Sequence, residues 1–123
     1  MIKILKNNEK YLWTNHVVGK MGYYGLSMGR VLRVINYPKR KETGVAPNTV
    51  ASMQPSGSKN RPYEIWVMYQ EKVKSKSEKL KIQFKNKKII ISAWKYPGIS
   101  PLKGKIPIPE DIEAELEEIL QTF

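Results

Sequence analysis

Val17, Met21 and Tyr24 fall at i, i+4 and i+7, a spacing that gathers them on one face of a helix. Thr14 stands where an N-cap belongs and Gly25 where a C-terminal glycine belongs, so a first helix is predicted over Asn15 to Tyr24. His16 and Lys20, also at i and i+4, share a neighbouring face of it. Ser27 caps a second helix running to about Asn36, with an apolar stripe of Met28, Val31, Leu32 and Ile35. Arg30 and Arg33 point away from that stripe, and Pro38 prevents continuation. Lys39-Arg40-Lys41 then reads as a basic loop.

From Thr43 the periodicity changes. Thr49 to Gln54 reads as a strand, and the segment from Pro55 to Pro62 as a turn-rich connection. Tyr63 to Gln70 is aromatic and β-branched with large apolar groups on both faces, which predicts a central strand. Glu71 to Glu78 is Lys- and Ser-rich and reads as a hairpin loop. Leu80, Ile82 and Phe84 alternate with Lys79, Lys81, Gln83 and Lys85, giving a strand with one apolar and one cationic face. Asn86 marks a tight turn, and Lys88 to Trp94 a fully buried strand. At the beginning, Ile2 to Leu5 is a short strand and Tyr11-Leu12-Trp13 an apolar lead-in. Pro97, Pro101, Pro107 and Pro109 keep the late segment irregular until an amphipathic helix over 109–123. Its stripe is Ile112, Leu116, Ile119, Leu120 and Phe123, and Glu110 and Asp111 favour its N-terminal dipole. The fold class predicted is α+β in one domain, 1–123: two N-terminal helices, an antiparallel four-stranded sheet and a C-terminal amphipathic helix.

Length agrees with one domain, since 123 residues support a single core. No apolar run approaches the roughly 20 residues that span a bilayer, and residues 1–9 lack the apolar core of a signal peptide. With no cysteine, disulfides, thiolate metal sites and cysteine nucleophiles are excluded. A cytoplasmic protein without membrane contact is expected. Charge changes the picture most. The net charge is +11, yet residues 109–123 hold six acids and no base. The first 108 residues therefore carry all 22 bases against five acids, a net of +17. Such a body attracts polyanions, nucleic acid first among them.

The run Thr14-Xaa-His16, Lys20-Met21, Gly25-Leu26-Ser27, Val31-Leu32 and Pro38 resembles the opening of a widespread bacterial domain family. That family begins with Thr-Xaa-His, Arg-Met and Arg-Gly-Ile-Ser, ends its second helix at a Pro, and continues into a meandering antiparallel sheet. It is similar to the RelE, ParE and BrnT toxins. The resemblance covers roughly residues 11–96, with its specificity in 14–38. Lys20 stands for the usual Arg, and Tyr24 for a second Arg, which weakens an anion-binding role there; the insert around Gly44-Val45-Ala46-Pro47 and the Pro-rich stretch fit the pattern poorly. The resemblance implies that His16 lies near an active face, that the substrate is mRNA or the ribosome, and that an acidic antitoxin protein is a partner.

The chemistry open to this set is RNA cleavage by 2′-hydroxyl attack, which needs no metal or other cofactor. It needs a proton acceptor, a donor for the leaving 5′ oxygen and cations for the phosphorane charge. His16 is the one histidine and Lys20 the cation beside it, so these two are the catalytic pair expected. Arg30, Arg33, Lys39, Arg40, Lys41 and Arg61 are expected to clamp phosphate, and Lys81 and Lys85 to supply a second basic stripe. Tyr69 or Tyr96 could assist as a phenol. Trp66 and Trp94, inside apolar strands, read as core rather than as stacking platforms. Ser92 has no acid near it in sequence and is not expected to form a triad. One histidine and scattered acids make no metal site, and Gly22, Gly25 and Gly29 make no phosphate loop. Two readings of another class stay open: a non-catalytic nucleic-acid-binding module, and a protein-interaction domain whose charge serves solubility.

Overall fold

A computed structural model describes residues 10–45, 48–71, 87–102 and 105–115. Tyr11–Trp13 forms β1, Asn15–Tyr24 α1, Met28–Asn36 α2, Arg40–Thr43 β2, Val50–Gly57 β3, Pro62–Gln70 β4 and Lys88–Pro97 β5. Residues 110–115 are helical and are termed α3. The strands form one sheet in the order β1-β5-β4-β3-β2. Three neighbour pairs are antiparallel, whereas β1 runs parallel to β5.

The expected antiparallel four-stranded sheet is thus corrected to a mixed one, with five strands among the described residues. Both unexpected strands are short and lack a legible alternation of their own. Tyr11-Leu12-Trp13 pairs with Lys88, Ile89 and Ile90; a parallel partner requires a long crossover, so no local signal marks it. Arg40–Thr43, expected as loop, pairs from Arg40↔Met53 to Thr43↔Val50 as an edge strand. Its charges suit that place, because edge strands are protected from further pairing by charged side chains. β3 extends to Gly57 through the segment expected as a turn, leaving only residues 58–61 to reverse the chain. There Gly57 adopts φ +83°, and a Cβ would collide with the Arg61 carbonyl oxygen. β5 likewise continues to Pro97. The strand expected over Ile2–Leu5, the hairpin loop expected over 71–78 beyond Glu71, the strand expected to carry Lys81, Phe84 and Lys85, and the part of the expected last helix over 116–123 lie outside the described residues.

Both N-terminal helices follow their caps. Thr14 Oγ1 accepts from Val17 N at 3.2 Å, Ser27 Oγ accepts from Arg30 N at 3.1 Å, and Gly25 ends α1 at φ +68°. α2 buries Val31, Val34 and Ile35, while Met28 stays 38% exposed. Its buried stripe therefore includes Val34 in place of the expected Met28. One sheet face is covered by α1 and α2, with Val17, Met21, Leu26, Val31, Val34 and Ile35 against Ile65, Val67, Tyr69, Ile90 and Ala93. The other face holds Met53, Trp66, Met68, Ile91 and Trp94 under Ile106 and Ile112. β4 and β5 are thus buried on both sides, as their two-sided apolar content predicts. Trp66 and Trp94 are fully buried core residues, with near-parallel rings 6.4 Å apart. Among the described residues no helix is long and apolar enough to cross a membrane.

Candidate functional site

Thr14 places the site. Its backbone N–H donates to Ile90 O at 3.3 Å, and its hydroxyl lies 2.9 Å from Ile90 O and 3.2 Å from Ile91 O. The residue that caps α1 therefore also ties the helix start to β5. Two positions on, His16 reaches the same strand, with Nε2 3.1 Å from Ser92 Oγ. The β4–β5 register shifts between Met68 and Tyr69, so Met68 faces Ser92 and Tyr69 faces Ile90. An irregularity of this kind re-aims side chains locally. The Thr-Xaa-His spacing thus has a structural reading: the threonine anchors the helix, and the histidine lands on β5.

His16, Lys20 and Tyr24 follow one another at i+4 on α1, and Asp111 and Glu115 stand at i and i+4 on α3. The two rows meet in opposite sense. His16 Nδ1 lies 3.2 Å from Glu115 Oε2. Lys20 Nζ donates to Asp111 Oδ2 at 2.9 Å and to Glu115 Oε1 at 3.0 Å. Tyr24 donates its hydroxyl to Asp111, 2.8 Å from Oδ1 and 3.0 Å from Oδ2. The expected catalytic pair is therefore brought together, but under two carboxylates. The acids carry the local electrostatics. Burial works to lower the Lys20 pKa, yet hydrogen bonds and charge from Asp111 and Glu115 outweigh it, and the net shift is upward from 10.5. Burial raises the Tyr24 phenol, and the Asp111 carboxylate raises it further. For Asp111, burial acts upward, but Lys20 and Tyr24 hold the carboxyl below its ordinary 3.8.

Ser92, expected to lack an acid, joins a Ser92–His16–Glu115 chain of 3.1 and 3.2 Å. No spacing reveals it, because the three residues come from a helix start, a mid-strand position and a C-terminal helix. A carboxylate only accepts, so Nδ1–H donates to Glu115, and in the neutral ring Nε2 accepts from the serine hydroxyl. The connectivity is that of a nucleophile triad. Ser92 is, however, 0% exposed. In this arrangement its hydroxyl orients the imidazole and meets no substrate.

The expected phosphate clamps separate into two kinds. Arg33, Lys39 and Arg61 are exposed and make no ion pair among the described residues; Lys41, exposed too, pairs with Glu71 at 2.6 Å. Glu71 raises the Lys41 pKa. Arg30, half-buried, donates to the Gln54 side-chain oxygen. Arg40 is built into the fold, its side chain only 8% exposed. It bonds Glu42 Oε1 at 2.9 Å, Ser100 Oγ at 3.0 Å and Pro101 O at 2.8 Å, with its guanidinium 5.3 Å from the Trp66 ring centroid. Its inward aim follows from the alternation of β2, which a loop assignment hides. The phenols proposed as assistants lie elsewhere: Tyr69 is buried and bonds Ser52, and Tyr96 packs on the face of Trp66 and Trp94. Lys81 and Lys85 lie outside the described residues. Among the described residues, no three His, Asp or Glu side chains gather to hold a metal.

The α1–α3 contact has a pH window with a determined sign. Asp111, lowered on folding, contributes stability above 3.8 that is lost as pH falls through its folded value. Lys20, raised, contributes stability below 10.5 that is lost as pH rises through its folded value. Hydrogen-exchange protection of residues 110–115 is expected to fall in acid as the Asp111 carboxylate is protonated. Asp111→Asn should remove much of the acid dependence. An acid limb unchanged in that variant would mean that other carboxylates control it.

Comparisons with protein-family models, with curated proteins and with solved structures return no match to this chain.

Proposed function

We propose that this chain is a small basic RNA-binding protein of the cytoplasm. The observation that carries the reading is the net charge of +17 over residues 1–108, with Arg33, Lys39, Lys41 and Arg61 exposed. Cations outside buried networks neutralise phosphates at little desolvation cost and release counterions as they do so. The ligand is mRNA or a ribosomal surface.

A second reading, metal-independent cleavage by an endoribonuclease-type toxin held by an acidic antitoxin, is favoured by the row His16, Lys20 and Tyr24 on one face of α1. With the α3 carboxylates displaced, His16 in its other tautomer would donate Nε2–H to Ser92 Oγ and take the 2′ proton at Nδ1. Lys20 would stabilise the phosphorane oxygens, and the Tyr24 hydroxyl would donate to the leaving 5′ oxygen. Sequence resemblance to the RelE-like toxins, which implies that His16 lies near an active face, supports the place of His16 in this reading.

An RNA-cleavage gel run beside a binding titration decides between the two. Cleavage by the wild type or by Asp111→Asn/Glu115→Gln that adding His16→Ala abolishes, with binding through the exposed cations kept, establishes the nuclease. Binding without cleavage in both proteins leaves an RNA-binding module. Absence of both at low salt removes the nucleic-acid reading and leaves a protein-interaction domain.

A further inference from the structure

We propose that His16, Lys20 and Tyr24 form a phosphodiester-binding subsite which the chain's own Asp111 and Glu115 occupy, so that RNA and the α3 acids compete for one set of donors. The inference rests on the RNA-binding reading and adds to it the place and the competitor. Three donors of different type converge: an ammonium, an imidazole N–H and a phenol O–H, with contacts of 2.8 to 3.2 Å to two carboxylates. Carboxylate and phosphodiester oxygens are the same kind of acceptor for such groups, anionic and without a proton to give. In the arrangement described, Lys20 is only 12% exposed, so an RNA phosphate reaches its ammonium only where the carboxylates give way.

The docking of α3 is suited to such an exchange. Its apolar anchor among the described residues is Ile112, fully buried against the sheet. The polar half of the contact consists of Asp111 and Glu115, and Glu115 is itself partly exposed. Glu110 and Glu113 stand on the same helix, exposed and in no ion pair among the described residues. They supply an internal control, because removing them takes away the same charge without touching the donors. A charge effect acting at a distance would make all four acids equivalent. Occupancy of the subsite makes Asp111 and Glu115 different from the other two.

The test is a fluorescence-anisotropy titration of the full chain with a labelled single-stranded oligouridylate at low salt. Wild type, Asp111→Asn/Glu115→Gln and Glu110→Gln/Glu113→Gln are compared. The first pair should tighten binding about tenfold more than the second, the scale of one recovered charge-assisted contact. Adding Lys20→Ala to the first pair should remove that extra gain. Equal tightening by the two pairs, or a gain that survives Lys20→Ala, overturns the subsite. Should the double variant fail to fold, Glu115→Gln alone must still tighten binding more than Glu113→Gln, and equality between them overturns the proposal. No binding by wild type or any variant is a different result, since it removes the RNA-binding reading together with the subsite.

Discussion

Trp66→Ala is expected to cost about 3–5 kcal/mol in urea or thermal unfolding. Trp66 sits in the centre of β4 at 0% exposure, between Arg40 and Trp94 on one sheet face. Its removal leaves a cavity and also strips a donor from Glu64, whose buried carboxylate accepts from Trp66 Nε1 at 3.1 Å and Ser100 N at 3.2 Å. An unsatisfied buried acceptor adds roughly 1–3 kcal/mol to the loss of packing. Trp66→Phe separates the two effects, keeping most of the ring volume while removing the N–H. On the opposite face, Ile65→Ala should cost about 2–5 kcal/mol, because α1 and α2 close over that side. Against a total stability of about 5–15 kcal/mol for a domain of this kind, either alanine variant is close to unfolding. A loss below about 1 kcal/mol at either position would mean that β4 is not a two-sided core strand.

The elements that the sequence made legible are those whose signal is local. Thr14, Gly25 and Ser27 mark helix ends by their own side-chain or backbone chemistry, and α1 begins and ends, and α2 begins, where those residues stand. β4 is legible because its apolar groups fall on both faces. β1 and β2 are not: three or four residues cannot show a period, and their register is set by partners elsewhere in the chain. Within the candidate site, His16 and Lys20 were legible through their i, i+4 spacing. Asp111, Glu115 and Ser92 were hidden, since only the packing of α3 and β5 against α1 brings them near. Arg40 shows the same limit in reverse. A basic triplet in sequence suggests a solvated cluster, but strand alternation turns the middle residue inward onto Trp66 and leaves its neighbours outside.

That division of the cations gives the binding prediction its particular form. Affinity for single-stranded RNA should fall about 300-fold between 50 and 200 mM salt if about six phosphates are neutralised, at a slope of roughly −0.7 per contact. Substituting Gln at Arg33, Lys39, Lys41 and Arg61 should flatten the log–log slope by about 3 for four lost contacts. Lys41 is expected to contribute least among them, because Glu71 already holds it at 2.6 Å. Arg40→Gln should behave differently. It removes a guanidinium that bonds Glu42, Ser100 and Pro101, so it should lower the unfolding midpoint. The salt slope should stay nearly unchanged, because a side chain 8% exposed has little surface to offer a phosphate. A slope that drops as much for Arg40→Gln as for an exposed cation would show that β2 opens on binding. A slope near zero for the wild type would mean that the excess positive charge serves solubility and that no polyanion is the ligand.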